Sequence, residues 1–277
     1  MGYYEFNIKI SKDSIDAFVE LMRNIGCLGI VENEDNILAY FPDIIGIQRI
    51  VEGIKSSKEI LSQSGLKDNI SCDYQFIGER DWNESWKKRF KPIEIGDELV
   101  IIPPWEEDVP GKTNIIIDPG MAFGTGHHET TKTCLLLIER LSKVSNKKSL
   151  LDFGTGTGIL AIAALKLGFN YALGIDIDPL AIKAAERNAK LNRLNNLELI
   201  KGDIKNVSRR FDLIVANIVS EIIIQNASKI VSCLNNDCYC ILSGMIKGQE
   251  EDVIKEMERF RFNLMERFSD DRWVTLI

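Results

Sequence analysis

The stretch LLDFGTGTGILAIAALKLG, residues 150–168, decides the fold. An apolar run ends in Asp152 and Phe153, glycines follow at 154, 156 and 158, and a segment rich in Ala, Leu and Ile comes next. That order reads as strand, tight turn, helix. Glycine lets the chain turn sharply and lets a ligand come close to the backbone. In open α/β sheets, ligands sit at the carboxyl ends of the strands. The following apolar run, Ala172 to Ile177, carries Asp176 near its end. A carboxylate there can accept hydrogen bonds from both ribose hydroxyls of a nucleoside.

Outward from this turn the chain keeps alternating. Strand-like runs at 149–153, 172–177, 197–201, 211–217 and 239–243 are interleaved with helical ones at 159–167, 180–191, 219–231 and 249–260. The strands are short and apolar throughout, the mark of a largely parallel sheet covered by helices on both faces. Residues 262–268 and 273–277 are expected to form a last, antiparallel pair. The fold class is therefore α/β, with a mostly parallel Rossmann-like sheet and an antiparallel edge.

The glycine pattern narrows the ligand. A dinucleotide fingerprint needs G-x-G-x-x-G, and position 159 is Ile. No G-x-x-x-x-G-K-[ST] loop for nucleoside triphosphates is present either. The pattern is G-x-G-x-G, with Asp152 two residues before it. A methionyl sulfonium nucleoside carries a free amino group and no phosphate. Asp152 can hold that ammonium, directly or through water, or it can brace the loop. Asp203, in KGDI at the end of the third strand, can accept from an adenine amino group or cap the turn that follows it.

Ahead of this domain, residues 1–76 read as a small α+β unit in the order β-α-β-β-α-β, a ferredoxin-like arrangement. Tyr4 to Ile10 alternates as a strand. Ser11 is the expected N-cap of a helix over 12–24, whose apolar face is Ile15, Phe18, Val19 and Met22. Residues 77–98 are read as a linker. Within it ERDWNESWKKRF spaces Trp82, Trp86 and Phe90 four apart, a helical face that either packs on a domain or meets a protein substrate. The main domain is then 99–277.

Composition bounds the function. The 277 residues, 45% of them hydrophobic, suffice for one large domain and one small one. With 34 basic and 41 acidic side chains the net charge is -7, which argues against a uniformly basic nucleic-acid-binding surface and leaves a local basic patch open. Six cysteines without a C-x-x-C pair, and only two histidines, argue against a metal site and against a disulfide framework. The first residues alternate like a strand and lack the basic flank and apolar stretch of a signal peptide. No apolar run is long enough to span a bilayer. A reduced, cytoplasmic protein is expected.

Three further segments sharpen this picture: DPGMAFGTGHHETT at 118–131, ANIVSEII at 216–223 and LSGMI at 242–246. Together with DFGTGTGILAIAALKLG and GIDIDPLAIKAAERNA, they resemble the bacterial methyltransferases that modify large-subunit ribosomal protein eleven. The resemblance spans nearly the whole chain. It implies a class I domain using S-adenosyl-L-methionine and releasing S-adenosyl-L-homocysteine. It also implies a ferredoxin-like domain that recognises the ribosomal protein, a connector, and a monomer. The chemistry implied is methylation of lysine ε-amines and of the N-terminal α-amine. Matched motif by motif, Thr131, Gly154, Asp176 and Asn217 are the implied cofactor contacts, beside Asp152, Gly156 and Asp203. Departures are mild: His127 stands where Thr is common, GTGTG where GCGSG is common, and Val219 where Leu is usual.

The residues also suggest how such chemistry runs. A sulfonium methyl group is already activated, so the enzyme mainly positions and desolvates a neutral amine. Lysine, with a reference pKa of about 10.4, must arrive deprotonated, and an apolar channel favours that form. Asn217, ending the fourth strand of this domain, is expected either to accept hydrogen bonds from the incoming amine or to cap the next helix. The loop 121–126 is expected to close over the cofactor, with Phe123 lining the methionine side or excluding water. His128 can relay a proton or hold that loop, and Glu129 can orient it or meet a substrate ammonium. No direct nucleic-acid substrate is expected, because Asn217 is followed by Ile218, Val219 and Ser220 rather than by the prolines and aromatic ring that hold a flipped base. The remaining rivals are a methyltransferase with another protein target, a non-catalytic binding module and a nicotinamide oxidoreductase.

Overall fold

The structure, a computed structural model, describes residues 2–11, 14–32, 36–63, 70–77, 90–118, 126, 128–144 and 149–277. The chain divides into two compact units, 1–89 and 90–277. The expected aromatic helix of the linker lies almost wholly outside the described residues, Phe90 excepted.

In the first unit the strands are β1 (Tyr3–Lys9), β2 (Gly29–Glu32), β3 (Ile37–Pro42) and β4 (Ser71–Ile77). The helices are α1 (Ile15–Ile25) and α2 (Ile47–Gln63). The sheet order is β2-β3-β1-β4, every neighbour antiparallel. Phe6, Phe18, Met22, Ile37, Phe41 and Ile50 are fully buried and form its core. The helix starts later than the sequence suggests. Ser11 is not its N-cap: the Ser11 carbonyl accepts from Ser14 N–H at 3.1 Å in a turn, and Ser14 takes the cap position. At the other end Gly26 adopts φ 96°, and the N–H groups of Gly26 and Cys27 return to Arg23 and Met22, which closes the helix.

The second unit is built on seven strands, β8 (Ser149–Phe153), β9 (Tyr171–Asp176), β10 (Leu197–Lys201), β11 (Phe211–Asn217), β12 (Leu234–Ile246), β13 (Arg267–Ser269) and β14 (Trp273–Leu276). Their order is β10-β9-β8-β11-β12-β14-β13. The first five are parallel, and β14 runs antiparallel between β12 and β13. The helices are α3 (Glu129–Val144), α4 (Ile159–Lys166), α5 (Pro179–Leu191), α6 (Ser220–Ser232) and α7 (Glu250–Glu258). Alternation along each strand divides the core. Leu150, Leu213, Val215 and Ile241 face α3 and α4, while Leu151, Phe153, Ile214, Ala216 and Leu242 face α6 and α7. The chain leaves β8 toward one edge and returns on its other side at β11. The switch point of the sheet therefore lies between β8 and β11, where such folds bind ligands.

Two stretches differ from expectation. The strand expected over 262–268 is confined to β13, with 262–266 in no regular element. Residues 93–95 form β5 (Ile93–Ile95), which pairs antiparallel with β6 (Leu99–Ile102), and β6 pairs parallel with β7 (Thr113–Ile116). The tail of the expected linker 77–98 is thus part of the second unit, because Ile95 is buried against the same core as α3 and α4.

Candidate active site

The carboxyl end of β8 turns through Gly154, Gly156 and Gly158, all at positive φ, which a side chain would strain. Gly158 occupies the N-cap position of α4. The turn is tied down by backbone bonds: Gly154 N–H and Thr155 N–H both donate to the Ile175 carbonyl at 2.9 and 3.0 Å. Asp176 completes the bracing, its carboxylate accepting from Gly156 N–H at 3.0 Å and from Asp178 N–H at 3.0 Å. One side chain thus links the glycine turn to the start of α5 and stays half-exposed at the strand end.

Asp152 is 1% exposed. Its Oδ2 accepts from Thr155 Oγ1 at 2.7 Å and from Ala161 N–H at 3.3 Å, so it does brace the loop. Its Oδ1 is buried with no partner. Desolvation by burial pushes its pKa from the usual 3.8 to about 7; Thr155 and Ala161 counter this and the nearby Asp176 charge adds to it. A buried acceptor of this kind is costly unless something pairs with it.

Asn217 ends β11 on the same sheet face. Asp152 pairs in register with Val215, and Asn217 lies two residues further on, so both side chains point to the α3 side. Asn217 Nδ2 approaches Thr131 Oγ1, in the first turn of α3, at 3.4 Å. Its Oδ1 is also buried without a partner. It does not cap α6, whose cap position is Val219. Two adjacent strands thus each carry, on the same sheet face near their carboxyl ends, a side chain with an unsatisfied oxygen. Acceptors there fit an ammonium-bearing ligand and a donor amine far better than they fit a phosphate, which also carries acceptors.

The remaining expected residues separate into three groups. His128 sits at the head of α3: its carbonyl accepts from Lys132 N–H at 3.1 Å, and its Nδ1 lies 3.3 Å from Thr130 N–H and 2.7 Å from Thr130 Oγ1. With Nδ1 accepting, the ring caps the helix, and it also packs edge-on against Trp273 at 4.8 Å. These bonds stay within the head of α3, and residues 121–125 of the loop that His128 is expected to hold lie outside the described residues. Glu129 does not reach this ring; it pairs with Lys132 at 2.7 Å. Asp203 caps the short 3-10 helix Ile204–Asn206, accepting from Lys205 N–H at 3.0 Å while Asn206 reaches back to Asp203 N–H. Phe123 and His127 lie outside the described residues.

Three supports escaped the sequence reading. Asn188, buried on α5, donates to the Thr157 carbonyl at 2.9 Å and accepts from Asp118 N–H at 3.0 Å, joining the glycine turn to the segment after β7. Asn192 closes a similar pair with Ile116 at 2.9 Å. Gly244, at φ 84°, lets the Ile218 backbone pass: a Cβ there would come within 2.6 Å of the Ile218 carbonyl oxygen. Only the position of Gly244 inside the LSGMI segment hinted at such a role.

A family model described as "Ribosomal protein L11 methyltransferase (PrmA)" matches residues 2–277. The chain belongs to this family. It is accordingly a class I S-adenosylmethionine-dependent methyltransferase. Among relatives named as ribosomal protein L11 methyltransferases, that of Clostridium perfringens is 35% identical over 267 residues, covering 94% of this chain and 82% of its own. That of Caldicellulosiruptor saccharolyticus is 36% identical over 292 residues, covering 96% and 94%. A crystal structure described as a ribosomal protein L11 methylase from Lactobacillus delbrueckii subsp. bulgaricus is 37% identical. It aligns with a TM-score of 0.63 over 68% of this chain and 97% of its own. Family membership removes the nicotinamide oxidoreductase and the non-catalytic module as rivals.

Proposed function

We propose that this PrmA-family chain transfers methyl groups from S-adenosyl-L-methionine to amines of ribosomal protein L11, namely lysine ε-amines and the N-terminal α-amine. The observation that carries the reading is the orphaned Oδ1 of Asn217 at the switch point of the sheet. An amine is a donor, and a fixed buried acceptor aims its lone pair along one line.

The cofactor, when bound, supplies an activated methyl group. The chain's own groups do the rest. Asp176 takes the ribose hydroxyls, and Asp203 faces the adenine amino group. Gly154 and Gly156 let the ligand lie against the backbone. The unpaired oxygen of Asp152 would meet the methionine ammonium, and Thr131 would close the methionine side, a role also read from the sequence for Phe123, which lies outside the described residues. Asn217 accepts a hydrogen bond from the neutral amine and holds it in line with the methyl carbon. Burial favours the uncharged amine over the ammonium. His128 acts by holding the head of α3, and through it Thr131, in place.

The N-terminal unit, with strand order β2-β3-β1-β4, is read as a ferredoxin-like module that recognises the substrate protein. A monomer in the cytoplasm is the accompanying proposal. The test is methyl transfer from radiolabelled cofactor to purified L11, followed by intact mass and peptide mapping. Steps of one methyl on lysines or the N-terminal amine are expected. A bound cofactor with no incorporation into L11 would move the search to other proteins.

A further inference from the structure

We propose that the β10 edge of the catalytic sheet, with α5 over it, is a docking surface for duplex RNA that borders the nucleoside end of the proposed cofactor site and contributes no group to methyl transfer. Residues 179–210 carry eight basic and three acidic side chains, a net +5 in a chain whose total is -7. All eight cations are exposed. On α5 the buried face is Ala181, Ile182, Ala185, Asn188 and Ala189, which turns Lys183, Arg187 and Lys190 outward together along a shallow groove. Lys201 and Lys205 lie at the carboxyl end of the edge strand β10, and Arg209 and Arg210 lead into the opposite end of β11. The cations therefore run the full length of the sheet edge.

Few of them are neutralised. Arg187 pairs with Asp118 at 2.5 Å and Arg209 with Glu198 at 3.0 Å. Lys183, Lys190, Arg193, Lys201, Lys205 and Arg210 make no ion pair among the described residues. Of the three local acids, Glu198 pairs with Arg209 and Asp203 caps its 3-10 helix, while Glu186 lines the groove beside Lys183, Arg187 and Lys190 and leaves it net positive. A surplus of this kind fits a regular array of phosphates.

Two features of the band choose the partner. Its exposed large apolar side chains are confined to Leu180, at the head of α5, with Ile177 just before it, too few to anchor the edge in a bilayer. Tyr171 is the nearest ring. It is stacked on Phe211 under the Arg209 guanidinium, so single-stranded bases have no open platform here. Phosphate contact to a duplex remains, without base readout. The choice of RNA as the polyanion rests on the ribosomal substrate proposed above.

The test is fluorescence anisotropy of a fluorescein-labelled 20-base-pair RNA duplex with the full chain, in the absence of any ribosomal protein. Binding in the micromolar range at low salt is expected, weakening about tenfold or more on raising salt fourfold. The triple variant K183E/K190E/R210E should bind about tenfold more weakly. Reversals at Lys229 on α6, Lys255 on α7 and Lys247 in the turn after β12, all away from the β10 edge, should leave binding within about twofold. Methylation of free L11 by the K183E/K190E/R210E variant should be unchanged, which keeps this test separate from that of the substrate. No binding at low salt overturns the proposal. So does equal binding by the two triple variants, or retention on phosphatidylglycerol vesicles in place of RNA.

Discussion

Asp152 has one carboxylate oxygen that braces the glycine turn and one that is buried without a partner, and the proposed cofactor contact falls on the second. Its folded pKa of about 7 lies above the usual 3.8, so the native state keeps a proton that the unfolded chain has already released. The unfolded state then binds fewer protons, and stability of the ligand-free protein falls as pH rises from about 4 to about 7. Asp152→Asn keeps the Thr155 bond and removes the charge. Denaturant melts at pH 5 and pH 8 should show the wild type less stable at pH 8 and the variant nearly level. A wild type that gains stability across that window would refute the assignment. An ammonium arriving at Oδ1 reverses the balance by favouring the carboxylate. Cofactor binding near pH 6 should therefore release a proton, read as a dependence of calorimetric enthalpy on buffer ionisation, and Asp152→Asn should abolish the release while weakening binding about tenfold. The role of Asp152 was only half legible in the sequence. Its place two residues before the glycines pointed to the cofactor. That one oxygen braces and the other is free depends on Thr155 and Ala161 folding back over it.

Among elements, the ends of β8 and β11 carry the account, and what holds them is a matter of close approach. Gly244 lies beside the Ile218 backbone, and Gly154 beside the Ile218 side chain. Gly244→Ala should displace the 217–219 turn. The expected result is a fall in kcat of about a hundredfold, with cofactor affinity within about threefold and the far-UV spectrum unchanged. Asn188→Ala leaves the Thr157 carbonyl and Asp118 N–H unpaired and should cost about 2 kcal/mol in urea unfolding. Elements set in a regular alternation with helical runs were readable: the runs at 149–153, 197–201 and 211–217 match β8, β10 and β11 to the residue. The three-stranded β5–β6–β7 sheet was not. Its strands have three or four residues and are set among prolines, too short for a period to register. Asn188 and Asn192 were equally hidden. On a helix they look like solvent-facing polar residues until β7 supplies the partners.

At the scale of the whole molecule, the chain forms two units with separate hydrophobic cores, and the proposed function assigns substrate recognition to the first. Phe18 is fully buried in the first. Phe18→Ala should destabilise that unit by about 3–5 kcal/mol and lower the methylation rate of L11, while calorimetry finds cofactor affinity unchanged. The division itself was legible from the shift between an alternating β-α-β-β-α-β segment and regular βα repeats. Its boundary was not, since 93–95 gave no sign of pairing with 99–101. Charge segregation was invisible in the overall total of -7, which conceals the positive β10 edge. The central claim is that amines are methylated at the gap between Asp152 and Asn217. It is tested most directly by single-turnover methyl transfer to L11, comparing wild type with Asn217→Ala at saturating cofactor. A loss of about a hundredfold in rate, on amines only and with cofactor still bound, is the predicted result. Full-rate transfer by the variant would contradict the account.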